Sequence, residues 1–198
     1  MKKLGRVLVW CMVIVLAIVA VLYFAVFDVW IVPASGEQTT SLGPTLSPGD
    51  VILVLRKSSL EGERLVQCQD PLDITSKVVA RAYGYPGTKI SIESELVVVD
   101  GKRWAPRESC SAPSPLTCAS EFGEGDSLRM FWRDAKNPKR DVQAVVQPNE
   151  LYLVSDNRHQ SYDSRRYGTV ALSTCRALGF RLWGHDREGR TVRFQPIP

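Results

Sequence analysis

No charged side chain stands between Val7 and Phe27, whereas beyond Asp28 apolar residues come in short runs broken by Pro, Gly, Asn and Asp. The uninterrupted stretch is informative through its length. A helix rising about 1.5 Å per residue crosses a ~30 Å hydrocarbon core in about 20 residues. Residues 7–27 are therefore predicted as one transmembrane helix. A cleaved secretory leader is the competing reading, but its apolar stretch runs to roughly 7–15 residues and ends in a small-x-small site. The stretch here is longer, its end Tyr23-Phe-Ala-Val-Phe27 supplies no such site, and Val32-Pro33-Ala34 is a poor match to one. A retained anchor is expected.

The short runs read as strands. Val51 to Leu55 follows the turn Pro48-Gly49-Asp50, and Lys77 to Tyr83 is the next strong candidate. Lys89 to Ile92 and Leu96 to Val99 follow, the latter meeting Asp100-Gly101, a hairpin signal. Met130 to Trp132, Val142 to Val146, Leu151 to Val154 and Leu178 to Leu182 complete the set. No amphipathic helix is expected outside the anchor. Residues 103–137, rich in Pro, Ser, Gly and charge, read as an inserted loop or ribbon decorating the core. The predicted fold is mainly β: a partly open antiparallel β core with a looped insertion, plus one N-terminal transmembrane helix.

Charge sets the orientation. Lys2, Lys3 and Arg6 precede the apolar stretch, and no acid precedes Asp28. Basic flanks stay on the cytoplasmic side. This gives a cytoplasmic N-terminus at 1–6, an anchor at 7–27 and an extracytoplasmic domain at 28–198, on the periplasmic or outer side of the cytoplasmic membrane. Removing those three cations from the 25 leaves 22 basic against 21 acidic residues. A balanced domain argues against a nucleic-acid partner. Cysteine usage agrees with export: Cys68, Cys110, Cys118 and Cys175 form an even set. Four cysteines permit three pairings. Cys110 with Cys118 would close a short loop, leaving Cys68 for Cys175. Zinc is the rival reading, but no CxxC or HxxxH spacing supports it, so no metal or cofactor is expected.

Three polar blocks carry the candidate chemistry. They are Thr39-Thr-Ser-Leu-Gly-Pro-Thr-Leu-Ser-Pro-Gly-Asp50, Ala80-Arg-Ala-Tyr-Gly-Tyr-Pro-Gly87 and Ser155-Asp-Asn-Arg-His-Gln-Ser-Tyr-Asp-Ser-Arg-Arg-Tyr-Gly168. Each alone could be a loop or a strand ending in a turn. The third is so dense in Asp, Asn, Arg and Ser that it demands a hydrogen-bonded network to satisfy it.

In this order, behind an apolar N-terminal segment, the blocks resemble the bacterial type I signal peptidase family. The first is similar to its S-M-x-P-T-L-x-x-G-D box, with Leu42 for Met. The second is similar to K-R-x-x-G-x-P-G-D, and the third to G-D-N-R-x-x-S-x-D-S-R-x-x-G, with Ser155 for the first Gly. The resemblance implies a membrane serine endopeptidase with a Ser/Lys dyad. Ser41 falls on the nucleophile. Thr39, with the backbone N–H of Ser41, falls on the oxyanion hole. Ser161 matches the hydroxyl that orients the lysine, and Asp163 and Arg165 match a supporting ion pair. Arg81, Asp156, Asn157 and Arg158 match the surrounding network. The implied substrates are signal peptides of exported preproteins. The implied partners are membrane lipid and the protein translocation machinery.

The sequence departs from the pattern in several places: Ser35 to Gln38 look like extra residues between Pro33 and the serine, and the second box ends in Thr88 rather than Asp. The departure that bears on the chemistry is at the base. The general base should stand four residues before Gly84, where the chain has Ala80. Lys77 is the nearest lysine in sequence, but three residues along a strand turn its side chain to the face opposite residue 80 unless a β-bulge intervenes. His159 lies within the third block and reads as a loop histidine. The alternatives that remain are an inactive relative that binds signal peptides or the export machinery, and a specialised peptidase of the pilin-processing or conjugation type.

Overall fold

The computed structural model describes the chain except residues 1, 58–59, 61, 63, 104–106, 111, 123–127, 140, 187–188 and 198; for residues 2–4, 22, 24, 107–110, 122 and 128 it describes the backbone alone. Helix α1 spans Lys2–Val21, continues as a π-helical turn over Leu22–Val26, and gives way to strand β1 at Phe27–Ile31. The expected span at 7–27 is thus not one continuous helix. Among the described residues no helix is long and apolar enough to cross a membrane. The segment changes conformation where a partner for its backbone exists: β1 pairs with β2 (Val51–Leu55) from Phe27↔Leu55 to Ile31↔Val51. Inter-strand bonds there satisfy the N–H and C=O groups that a longer helix would have satisfied internally.

The main body is a curled antiparallel sheet of eight strands. Its path runs β1, β2, β14 (Arg176–His185), β3 (Leu65–Gln69), β4 (Lys77–Gly84), β12 (Glu150–Val154) and β13 (Val170–Ala171), with β15 (Thr191–Pro196) added beside β14. The long β14 lets the sheet curl. Its first residues pair with β3, and its later residues pair with β2 through two register shifts. Such irregularities bend a strand and increase its twist. A second sheet of four strands holds β5 (Lys89–Glu93), β6 (Leu96–Val99), β7 (Lys102–Arg103) and β11 (Val142–Val145). The β6–β7 turn falls at Asp100-Gly101, both with positive φ, as the dipeptide predicts.

Strand β4 is the core of the fold, because both of its faces are covered. Val78, Ala80 and Ala82 pack with Val66, Cys68, Leu151, Leu153 and Val170. Val79, on the other face, packs with Leu42, Leu46, Ile52 and Leu178. Tyr83 joins a third cluster with Ile90, Ile92 and Val97 under the second sheet.

The insertion expected at 103–137 carries a sheet of its own, β8 (Arg107–Cys110), β9 (Thr117–Phe122) and β10 (Leu128–Arg133), in the order β10-β9-β8. Cys68 and Cys175 are joined by a disulfide, as expected. The expected Cys110–Cys118 bond involves a side chain outside the described residues; the backbone ladder sets Cys110 opposite Cys118.

Candidate active site

The first block forms a short helix, α2, over Glu37–Ser41, followed by a turn. This places Thr39 and Ser41 on its inner side, both buried. Ser41 Oγ donates to Gln38 O at 2.7 Å. Thr39 Oγ1 donates to Pro33 O at 3.2 Å and Ser35 O at 3.3 Å. Leu42 and Leu46 then enter the core against Val79 of β4. Residues 35–38 thus form the approach to α2 and its first turn.

Each block contributes one residue to a single buried junction. Asp156 accepts from Arg81 Nε at 3.0 Å and from a second guanidinium nitrogen at 2.8 Å. It also accepts from Thr45 Oγ1 at 2.5 Å. Burial pushes the Asp156 carboxyl up, but Arg81 and the hydrogen bonds outweigh it and hold the group below its ordinary value. The Arg81 guanidinium, disfavoured by burial, is held charged by Asp156. Asn157 ties the third block to the first: its N–H donates to Ser41 O at 3.0 Å and its side-chain amide to Thr40 O at 2.9 Å.

The rest of the third block braces this junction. Asp163 caps helix α3 (Ser164–Tyr167), accepts from Ser155 N at 2.8 Å and binds the Arg165 guanidinium through two nitrogens. Burial opposes its charge, and Arg165 with these N–H donors more than compensates. Arg165 also donates to Arg158 O at 2.8 Å. Arg158 is fully buried, lies 4.5 Å from the Phe131 ring, and donates to Tyr83 Oη at 2.8 Å and Glu121 Oε1 at 3.2 Å.

Ala80 is buried on the face of β4 that carries Val78 and Ala82; Tyr162 and Tyr167 of the third block border the same cluster. Lys77 shares the opposite face with Val79, at the exposed start of the strand, and its Nζ donates to Gln67 Oε1 at 3.2 Å. The β3–β4 register runs unbroken from Lys77 to Arg81. The irregularity in β4 falls later, where Tyr83 is skipped between Ala82 and Gly84 on the β12 side. A bulge is thus present, but beyond residue 80 rather than before it.

A cavity of about 560 Å³ opens beside these elements, lined by Thr40, Ser161, His159, Lys139, Arg166 and Glu37, among others. Ser41 does not line it, being fully buried. His159 lines this cavity, with its Nδ1 3.6 Å from Glu95 Oε1. Among the described residues no lysine or histidine nitrogen bonds Ser41 Oγ; its proton is committed to a backbone carbonyl. Thr45, Tyr83, Glu95, Glu121 and Trp132 were not singled out by the sequence. Thr45 and Tyr83 had a signal there, since they sit inside the first and second blocks; the other three are ordinary in their local context.

The family model described as "Signal peptidase, peptidase S26" matches residues 7–183. Signal peptidase IB of Staphylococcus aureus (strain COL) is 26% identical over 189 residues, covering 92% of both chains. Signal peptidase I of Bacillus caldolyticus is 25% identical over 185 residues, with the same coverage. A crystal structure of a signal peptidase I from Enterococcus faecalis V583 aligns over 62% of this chain and 97% of its own, at 16% identity and a TM-score of 0.39.

Proposed function

The chain belongs to the signal peptidase family, peptidase S26, a family of serine protease hydrolases, and we propose that it acts on the signal peptides of exported preproteins as a membrane-anchored endopeptidase of type I. The observation that carries this reading is the junction of Thr45, Arg81 and Asp156, which joins one residue from each of the three blocks. In this reading Ser41 is the nucleophile. Thr39 Oγ1 and the Ser41 N–H receive the oxyanion once Thr39 turns from Pro33 O. Such donors contribute a few kcal/mol, roughly, when aimed at the developing alkoxide. Ser161, on the cavity wall, stands for the hydroxyl that would orient a base at position 80. Arg81, Asp156, Asn157, Arg158, Asp163 and Arg165 hold the frame.

The anchor belongs to the same proposal. The side chains of α1 from Val7 to Val21 are apolar and exposed, and a helix apolar on every side needs an apolar surround. Lipid supplies it, with Lys2, Lys3 and Arg6 on the cytoplasmic side and the β domain outside. The translocation machinery is the partner expected to present substrate there.

Serine is a weak nucleophile until a base takes its proton, and a methyl group at position 80 accepts none. This favours a second reading, a pseudoenzyme that binds signal peptides without cutting. One panel separates the two: the parent chain, Ala80→Lys, Lys77→Ala and Ser41→Ala on one preprotein. Losing one member of a cooperating set removes nearly all of the rate, so Ala80→Lys is expected to raise cleavage by at least ~100-fold. Lys77→Ala is expected to leave the parent unchanged. Parent cleavage abolished by Lys77→Ala would make Lys77 the base. Parent cleavage that survives both Lys77→Ala and Ser41→Ala would overturn the serine mechanism. Binding without cleavage by any variant would establish the pseudoenzyme.

A further inference from the structure

The inserted sheet does more than decorate the core. Trp132, in β10, touches the first and the third block at once. Its N–H donates to Asp156 O at 2.9 Å, and its carbonyl accepts from Arg158 N at 2.7 Å. Together these make an isolated parallel bridge between Trp132 of β10 and Asn157. Its indole lies directly on Gly43, where a Cβ would stand 2.3 Å from the ring carbon Cζ3. That contact is far inside van der Waals range, so the glycine is what lets the ring approach the turn after Ser41. Asn157, held between the two backbone bonds of Trp132, is the residue whose N–H and side-chain amide grip Ser41 O and Thr40 O. The three parts therefore close a triangle: indole to Gly43, β10 backbone to residues 156–158, and Asn157 back to residues 40–41.

Neighbouring residues of the insertion strengthen one edge of it. Phe131 stacks on the Arg158 guanidinium, and Glu121 accepts from it with both groups fully buried. Tyr83 Oη also donates to Glu121 Oε1, so the β4 strand is drawn into the same contact. Truncating an aromatic that fills such a space removes packing on both sides at once.

The geometry assigns Trp132 a positioning role: it clamps the turn after Ser41 onto the Asp156–Arg158 segment, and so sets where the nucleophile stands relative to the frame. This rests on the peptidase reading above for its consequence in catalysis, but the clamp itself is testable without it. A displacement of about 1 Å at a reacting group costs on the order of 100-fold in rate, so a residue with no substrate contact can control turnover in this way.

The test uses the full chain in detergent or lipid discs, as the parent and as Trp132→Ala, Trp132→Phe and Gly43→Ala. Amide hydrogen exchange is followed in peptides covering 38–46 and 155–160, with β2 and β6 as internal references. Local opening of loops is resolved by exchange separately from global unfolding. Trp132→Ala is expected to speed exchange at least ~10-fold in both loops and to leave the references unchanged. Trp132→Phe should retain most of the protection, and Gly43→Ala, which pushes the indole away, should reproduce the alanine phenotype in the same two loops. In whichever of the parent and Ala80→Lys backgrounds cleaves a signal-peptide substrate, Trp132→Ala should lower kcat on the order of 10–100-fold with KM little changed. Unchanged exchange in either loop, or acceleration spread equally over β2 and β6, overturns the clamp. If neither background cleaves or binds a signal peptide, the peptidase reading fails while the exchange data still decide the clamp.

Discussion

Arg81→Met should be among the most damaging single changes outside the apolar core. Arg81 and Asp156 have side chains that are each 2% exposed and meet at 2.8 Å. Removing the cation takes away the two guanidinium hydrogen bonds to the Asp156 carboxylate, leaving the Thr45 hydroxyl bond, in a place water does not reach. Breaking a buried pair from one side costs roughly 3–5 kcal/mol, whereas replacing both members with apolar residues is often neutral. For a chain of this size about 1 kcal/mol moves Tm by ~2–4 °C. The single variant should thus lose roughly 6–20 °C, and Arg81→Met/Asp156→Leu should recover much of it. Urea denaturation of the four forms of the double-mutant cycle, followed by the fluorescence of the chain's five tryptophans, gives the coupling directly. A loss under ~1 kcal/mol for Arg81→Met, or additivity of the two changes, would refute the reasoning, because contacting charges in one network should couple by ~0.5–3 kcal/mol.

Two further outcomes follow. Asp156 and Asp163 are both held below their ordinary carboxyl value of 3.8. Groups lowered on folding contribute stability that is complete above that value and is lost as pH falls through the lower folded-state values. Unfolding midpoints should therefore be flat from neutral pH to about 5 and fall steeply below about 4; Asp163→Asn should be less stable at neutral pH and show a shallower acid limb, and an unchanged limb would sink the assignment. The Cys68–Cys175 disulfide closes a separation of 107 residues, so Cys68→Ala/Cys175→Ala should lose about 2–5 kcal/mol, read as a lower urea midpoint that reducing agent reproduces in the parent and does not worsen in the double variant.

The strands that the sequence revealed are those where one face or both faces are apolar. Val51–Leu55 alternates partly and fully buried residues, and Leu96–Val99 matches its expected bounds. Phe27–Ile31 was hidden because its residues continue an apolar run, and nothing local says that β2 will pair with them. Leu65–Gln69 was hidden because Gln67 and Gln69 look solvated, although Gln67 is buried between β4 and β14. In the site, the resemblance marked Arg81, Asp156, Asp163 and Arg165, and the structure pairs them as Arg81–Asp156 and Asp163–Arg165. It could not mark Glu121 or Trp132. Their contacts with Arg158 and Gly43 depend on how the 103–137 region folds back, which is tertiary information.

Strand β4 bears directly on the role proposed for position 80. Ala80 and Arg81 are neighbours that face opposite ways, one into the Val66–Leu151–Leu153 cluster and the other onto Asp156. A lysine placed at 80 would enter apolar surroundings, where burial lowers an ammonium pKa from about 10.4 by several units. That is the condition for a neutral amine at physiological pH, so the activity gained should rise with pH through the lowered value. Lys77 meets a different environment. It lies on the face of Val79, against which Leu42 and Leu46 pack, so its direction is not by itself prohibitive. Its position is: at about 3.3 Å per residue it starts ~10 Å along the strand from residue 80, and its Nζ is held by Gln67 at the exposed end. Gln67→Ala frees that ammonium without touching the three blocks. If Lys77 can serve Ser41, this change should raise cleavage in the parent and lose it again in Gln67→Ala/Lys77→Ala. If position 80 is the base site, Gln67→Ala should do nothing for cleavage while Ala80→Lys restores it, and an increase with Gln67→Ala that depends on Lys77 would overturn the assignment of position 80.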